Sequence, residues 1–140
     1  MRRRINFARE DGQAMTELAL VLPIFAVLLL AIVQFGIAFN NYLTLTDATR
    51  AGARKAAVSR FVGDNGASAV TAVKTAASSL DQTVLASRIS VTSVNAAGAT
   101  DWTTPGDVVT VTASYPYTIN ILGFSVTSGS VTSTTKERLE

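Results

Sequence analysis

The hydrophobic pattern of this chain is dominated by one long apolar run near its N-terminus. From Leu18 to Phe39 the sequence reads LALVLPIFAVLLLAIVQFGIAF, in which Gln34 is the one strongly polar side chain. At about 1.5 Å per residue, a helix of this length spans roughly 33 Å, enough to cross a hydrocarbon core of about 30 Å. A secretory signal has a shorter apolar region and then a small-x-small cleavage site, which this run lacks. The pattern therefore predicts one transmembrane helix, which we assign to residues 13–39.

The helical pattern continues beyond this run. Residues 40–61 mix alanine, glycine and leucine with charged side chains and contain no proline. Asp47, Arg50 and Arg54 are three and four residues apart, so they form a charged stripe on one face, opposite a face of small residues. The sequence predicts an extracytoplasmic continuation of the same helix over 40–61. Such a rod is suited either to packing beside other rods or to packing on its own globular domain.

The remaining sequence predicts a small α+β domain over residues 67–140. Gly63–Gly66 breaks the first helix, and apolar residues at helical spacing over 67–84 predict a second one. The period then changes to two, which predicts strands near 89–94, 109–115 and from 124 onward, with loops at 95–105 and 116–123. We expect a three-stranded antiparallel sheet packed on helix.

Four positions in the long helix are candidates for helix packing. Pro23 removes one backbone hydrogen bond and is expected to bend the helix, although a kink without any role fits equally well. Small and polar residues mediate helix association in lipid, which singles out Gln34, Gly36 and Gly52.

The charge of the chain is concentrated at its N-terminus. The 140 residues carry a formal net charge of +2. The first twelve residues contain Arg2, Arg3, Arg4 and Arg9 against two acids, which accounts for that whole excess and leaves no basic face for nucleic acid. Arginines before the span, and none in the ten residues after it, predict a cytoplasmic N-terminus and an external C-terminal domain.

The residues that usually carry catalysis are scarce. The chain has no cysteine and no histidine, which excludes disulfides, thiol chemistry, the commonest general base and most zinc sites. Gly63–Gly66 resembles part of a calcium loop but lacks the other ligands, so it is read as a turn. Trp102 is read as a cap over the sheet or as a surface contact. We predict no catalytic, cofactor or metal site, no small-molecule substrate and no enzyme activity.

The junction before the apolar run carries the strongest functional pattern. Glu17 lies at the threshold of the span, where an unpaired carboxylate has a solvation cost of several kcal/mol. Gly12 lies five residues earlier, at the end of the short basic leader formed by residues 1–12. One interpretation is that Glu17 has a functional partner. The other is that it is a first-turn carboxylate at the wet interface, stabilised by the helix dipole alone.

A basic leader ending in glycine, with a glutamate as the fifth residue after it and an apolar helix behind, resembles a type IV prepilin. The stretch GQAMTELALVLPIFAVLLLAIVQFGIAFNNYLTLTDATRAGARKAAV is similar to TadE-like pseudopilins of the tight-adherence (Tad, or Flp) pilus system, as are VVTVTASYPYTI and the Ser/Thr-rich last strand. The resemblance implies cleavage between Gly12 and Gln13 by an aspartic prepilin peptidase. It also implies that Glu17 pairs with the terminal amine of a neighbouring subunit. Many pilins begin with phenylalanine, whereas this mature chain would begin with Gln13, so N-methylation and cyclisation both stay open.

The resemblance implies a minor pilin that primes, caps or joins a thin filament. It would lie in the bacterial cytoplasmic membrane as a single-pass protein, and in the extracellular pilus if it is assembled. Its implied partners are the prepilin peptidase, other pilins or a sister pseudopilin, the inner-membrane assembly platform and membrane lipid. The alternative is a permanently anchored single-pass protein whose extracytoplasmic domain serves as a binding or scaffold module.

Overall fold

The computed structural model describes residues 7–61 and 63–140, with side chains from residue 12 onward except that of Arg60. Arg2, Arg3 and Arg4 lie outside the described residues, as does the side chain of Arg9. The elements are α1 (Phe7–Ala57), a 3-10 turn (Ser59–Phe61), α2 (Ala67–Ala76), α3 (Gln82–Ala86), β1 (Ile89–Val94), β2 (Val108–Ile121) and β3 (Phe124–Arg138). This arrangement confirms the predicted α+β fold with a three-stranded antiparallel sheet.

Helix α1 is continuous from Phe7 to Ala57 and includes Pro23. Its most apolar 18-residue window has a mean hydropathy of 2.8, and none of that window is buried by the rest of the chain. The buried core helix of a soluble protein would be covered by its own domain, whereas this one is uncovered. Helix α1 is therefore long enough and apolar enough to cross a membrane.

The single helix predicted over 67–84 is two helices in the structure. Helix α2 ends at Ala76, and the chain turns before α3 begins at Gln82. Asp81 caps α3, since its carboxylate accepts hydrogen bonds from the backbone N–H groups of Thr83 and Val84. The Gln82 side-chain amide donates to the carbonyl of Ala77 at 2.7 Å. These side chains satisfy backbone groups that a continuous helix would have paired, which is why apolar spacing alone missed the break.

The sheet has the order β1-β2-β3, and both strand pairs are antiparallel. In β2 the alternating residues Val109, Val111 and Ala113 are fully buried, so one face of the sheet packs on helix. The core is completed by small and medium side chains of the helices, of the turn between α2 and α3 and of the segment after β3. These are Leu45, Ala48, Ala53, Ala56, Ala69, Val73, Ala77, Leu80, Leu85 and Leu139.

The predicted loop over 116–123 was wrong, because β2 runs on through Pro116 to Ile121. Strand β1 begins at Ile89, opposite Ala113, so β2 has an open edge beyond that point. The N–H of Ser114 donates to Arg88 on the β1 side at 3.1 Å. Two residues later the backbone nitrogen points to the same side, so Pro116 faces the open edge, where no ladder hydrogen bond is lost.

Strands β2 and β3 form a hairpin that extends past the end of β1. Its two-residue turn is Leu122–Gly123, with φ of 51° and 86°. Positive φ at both positions is typical of the tight turn that matches the twist of antiparallel strands. A register shift lies between Ile119 and Asn120.

A buried hydroxyl cluster joins α1 to β3. Thr49 donates to the carbonyl of Thr46 at 2.9 Å, and its oxygen lies 2.9 Å from Ser133 Oγ and 3.1 Å from Thr135 Oγ1. One donor and two lone pairs allow Thr49 to make all three bonds. The cluster thus fixes the position of the hairpin along the helix.

Candidate processing and assembly site

The predicted cleavage position lies inside α1. Gly12 is exposed, and a Cβ added there would meet no heavy atom within 4 Å. The Thr16 hydroxyl donates to the Gly12 carbonyl at 2.8 Å. A protease cleaves an extended backbone, so this part of the helix has to open before cleavage. Glycine lowers that cost because it is about 1 kcal/mol less favourable in a helix than alanine.

Glu17 lies one helical turn after Gln13, on the same face. The Gln13 amide donates to Glu17 Oε1 at 3.2 Å, and both side chains are exposed. Among the side chains that the structure describes, the ion pair is Arg50–Asp47 at 3.4 Å, on the predicted charged stripe. Glu17 therefore has one neutral donor in this chain and no described counterion.

The face of α1 that packs on the domain begins near Gln34. From there, residues three and four apart become progressively less exposed, because successive turns of the helix approach the sheet. They are Gln34, Ala38 and Asn41, which are half-buried, and Leu45, Ala48 and Gly52, which are buried. Pro23 and Gly36 are exposed, and nothing in this chain lies within 4 Å of a Cβ built at Gly36.

At Gly52, α1 packs tightly against α2. A Cβ at this position would clash with the Val73 side chain and lie 3.3 Å from the Ala69 carbonyl oxygen. The glycine thus allows close packing of two helices within the chain. A role for Gly36 or Gly52 in packing between subunits stays a prediction.

The acids of the outer domain shape turns. Asp64 accepts hydrogen bonds from the N–H groups of Ser68 at 2.7 Å and Gly66 at 3.1 Å, and these bonds, those from Ser68 foremost, lower its pKa. Hydrogen bonds from Thr104 and Thr103 lower the pKa of Asp101 to about 2. Gly63–Gly66 is thus a turn that leads into α2. Within 7–61 and 63–140, no three His, Cys, Asp or Glu side chains gather into a metal-binding group.

Trp102 is half-buried and lies against Gly66, beside the apolar core. This placement favours the interpretation of Trp102 as a cap over the sheet.

Sequence reasoning missed a groove of about 250 Å³ between α1 and the hairpin. Its walls come from one stretch of the helix and from the facing strands. They are Phe35, Ala38, Phe39, Tyr42, Tyr117, Ile119 and Val131. The absence of any charged residue from Val108 to Thr135 was the available signal for an apolar surface in this region.

Fold and site together define a class of protein: a membrane-anchored protein with one long apolar helix and a small α+β domain. Residues 12–54 match a family model, TadE, described as TadE-like protein. Over these residues the match supports the resemblance to TadE-like proteins of the Tad pilus system. It includes Gly12, Gln13 and Glu17 and ends within α1, before the sheet. Comparison with curated proteins and with solved structures gives no match.

The matched family suggests involvement in the Tad pilus system and association with other pilus components. It is a structural family and not a catalytic one. Cleavage, orientation and the part played in the pilus need arguments of their own.

Proposed function

We propose that this chain is a minor pilin, or pseudopilin, that takes part in assembling or priming a Tad/Flp-type pilus for adherence. The observation that carries the proposal is the course of α1. One helix begins at the basic leader, passes Glu17, presents an uncovered apolar stretch and ends in the core of the outer domain. A subunit that is both held in a membrane and packed beside other helices needs such an element.

The proposed orientation places residues 1–12 in the cytoplasm and the sheet domain outside. Arg2, Arg3, Arg4 and Arg9 precede the span, and the next basic residue after it is Arg50. Positive residues close to the end of a span are retained on the cytoplasmic side. This orientation presents Gly12 to a prepilin peptidase at the inner face of the membrane.

Cleavage between Gly12 and Gln13 would convert a neutral peptide nitrogen into a charged amine. Among the side chains that the structure describes, from residue 12 onward, the donor to Glu17 is the neutral Gln13 amide. A carboxylate and an ammonium that both lie at a lipid boundary are each costly alone and gain by pairing. The amine of a neighbouring subunit supplies that charge to Glu17. Processing would thus make subunits competent to associate.

The test is the N-terminus and intact mass of the protein from native membranes, in cells with and without the prepilin peptidase. We expect a chain starting at Gln13 only when the peptidase is present. Gly12→Leu should leave the precursor uncut, because the side chain occupies space that glycine leaves open. Gly36→Leu, at another exposed glycine of α1, is the matched control and should mature normally.

Two results would contradict the proposal. A chain that retains residues 1–12 in both strains would be a permanent single-pass anchor, whose sheet domain then serves as the binding or scaffold module. Maturation of the Gly12→Leu variant at Gln13 would exclude the peptidase as the enzyme responsible.

A further inference from the structure

The β2–β3 hairpin runs back along α1 toward the apolar stretch of that helix. The N–H of Glu140 donates to the carbonyl of Ala57 at 3.0 Å, at the outer end of α1. Seven residues earlier in β3, Ser133 contacts Thr49. Closer to the turn, the hairpin residues of the groove face Phe35 to Tyr42. The contacts move steadily along α1 in the direction of the predicted span.

The hairpin tip, residues 119–126, reaches further still. Ile119 already lines the groove with Phe35 and Phe39, which belong to the apolar run. The turn at Gly123 comes four residues after Ile119. Leu122 and Gly123 lie together at the apex, so at about 3.3 Å per residue the tip extends roughly 10 Å beyond the level of Ile119. A bilayer crossed by α1 therefore lies within reach of the hairpin tip.

The surface of the hairpin tip differs from that of the rest of the outer domain. Leu122, Phe124 and Val126 are 69%, 78% and 62% exposed. Among the described residues outside α1, the other exposed large apolar side chains are Phe61, at 67%, and Val108, at 39%. Three of these five side chains thus lie within five residues of each other, in a part of the chain without charge.

We propose that the hairpin tip, through Leu122, Phe124 and Val126, inserts into the outer leaflet of the bilayer that α1 crosses. Apolar side chains on an uncharged loop gain by leaving water for the acyl chains. Tyr42 and Tyr117 line the groove behind the tip, and tyrosine is enriched at the level of the lipid headgroups. The molecule would therefore contact the membrane through two elements, the helix and the hairpin tip.

The insertion is shallow. Beyond β1 the hairpin has only two strands, and their unpaired edges cannot be satisfied in hydrocarbon. A depth of about 5–10 Å, at the boundary of headgroups and acyl chains, is typical of such elements. This depth places the outer limit of the hydrocarbon closer to Phe35 than to Phe39. Residues 18–35 of α1 still span roughly 27 Å, within the usual range of about 17–25 residues for a helix that crosses a bilayer.

The chain contains no cysteine, so any single cysteine variant can be labelled at one site. Ser125→Cys places a nitroxide in the hairpin tip, and Ser90→Cys places one on β1 as a matched control, since both serines are exposed strand residues. The full chain is reconstituted in vesicles of phosphatidylethanolamine and phosphatidylglycerol. The accessibility of each label to oxygen and to a water-soluble nickel chelate is then measured by electron paramagnetic resonance.

We expect a several-fold higher ratio of oxygen to nickel accessibility at S125C than at S90C. That ratio should fall to the S90C value when Leu122→Ser and Phe124→Ser are added. Unchanged Trp102 fluorescence would show that these exposed substitutions leave the fold intact. The inference depends on α1 crossing the membrane and not on cleavage or assembly, so the two proposals can fail separately.

Three results would overturn the inference. One is equal, water-like accessibility at both labels. Another is a ratio at S125C that the two serine substitutions do not change. The third is shielding of S125C from both reagents, with spin–spin broadening that grows with the protein-to-lipid ratio, because a second copy of the chain and not lipid would then cover the hairpin tip.

Discussion

Replacement of Thr49 by valine tests how α1 holds the hairpin. Valine keeps the shape of threonine and has a similar helix propensity, so the change removes a hydroxyl and little else. The hydroxyl accepts from Ser133 and Thr135 and donates to Thr46. Ser133 is only 7% exposed, and Thr49 is its hydrogen-bond partner among the described side chains. Thr135 is more exposed and can turn to water.

The expected cost follows from these burials. Leaving a buried hydroxyl without a partner costs about 1–3 kcal/mol, so we expect Thr49→Val to lower the free energy of unfolding by about 2 kcal/mol. Ser133→Ala leaves Thr49 with its bonds to Thr46 and Thr135, and should cost no more than about 1 kcal/mol. Thr49→Val leaves the Ser133 hydroxyl without a partner, and adding Ser133→Ala removes that hydroxyl. The double variant should therefore be no less stable than Thr49→Val alone.

The assay is equilibrium unfolding of the full chain in detergent micelles, followed by the fluorescence of Trp102, the one tryptophan. For an outer domain of this size, a loss of 2 kcal/mol corresponds to a decrease in Tm of roughly 8–16 °C. A Thr49→Val variant within 0.5 kcal/mol of the unsubstituted chain would refute the argument. So would costs for the two single variants that simply add in the double variant.

Three further predictions concern the assembly carboxylate and two turns. Glu17→Ala should mature normally but fail to support piliation, because the charge is needed only between subunits; normal piliation, counted by electron microscopy, would contradict the pairing. Gly66→Ala should lower the free energy of unfolding by about 1–3 kcal/mol more than Gly63→Ala. Both glycines have positive φ, but only a Cβ at Gly66 would meet a neighbour, the Trp102 ring; equal losses would show that backbone strain alone matters. The pKa of Asp101 is held at about 2, below its usual 3.8, so its turn contributes stability above pH 4 that is lost as the pH falls through 2. Trp102 fluorescence should therefore change near pH 2 in the native chain and not in Asp101→Asn, and the same change in both would exclude this turn as its source.

The sequence was most informative where one physical requirement acts over many residues. A membrane demands about 20 apolar residues, and an amphipathic helix or strand repeats its pattern several times. Helix α1, the antiparallel sheet and its buried face at Val109 and Val111 could therefore be predicted. The residues of the N-terminal junction stood out for the same reason, since Glu17 interrupts a surface that is otherwise apolar.

The features that sequence reasoning missed depend on single local contacts. The break between α2 and α3 rests on the Asp81 cap and on the Gln82 amide, which periodicity does not detect. The extension of β2 through Pro116 depends on where β1 begins, which is a fact of tertiary structure. The groove between α1 and the hairpin depends on how far β3 runs back along the helix. The extent of β3 along α1 is known only from the structure.

The continuity of α1 has a mechanical consequence. The same uninterrupted helix that carries Gln13 near one end supplies Leu45, Ala48 and Ala53 to the core of the outer domain. A force applied along its axis near Gln13 is therefore transmitted directly to the sheet, and an axial displacement of the inner end moves the outer domain by the same distance. The glycine-rich turn at residues 63–66 comes after the end of α1, so the force does not pass through it. The helix thus couples the inner end of the protein mechanically to the outer domain.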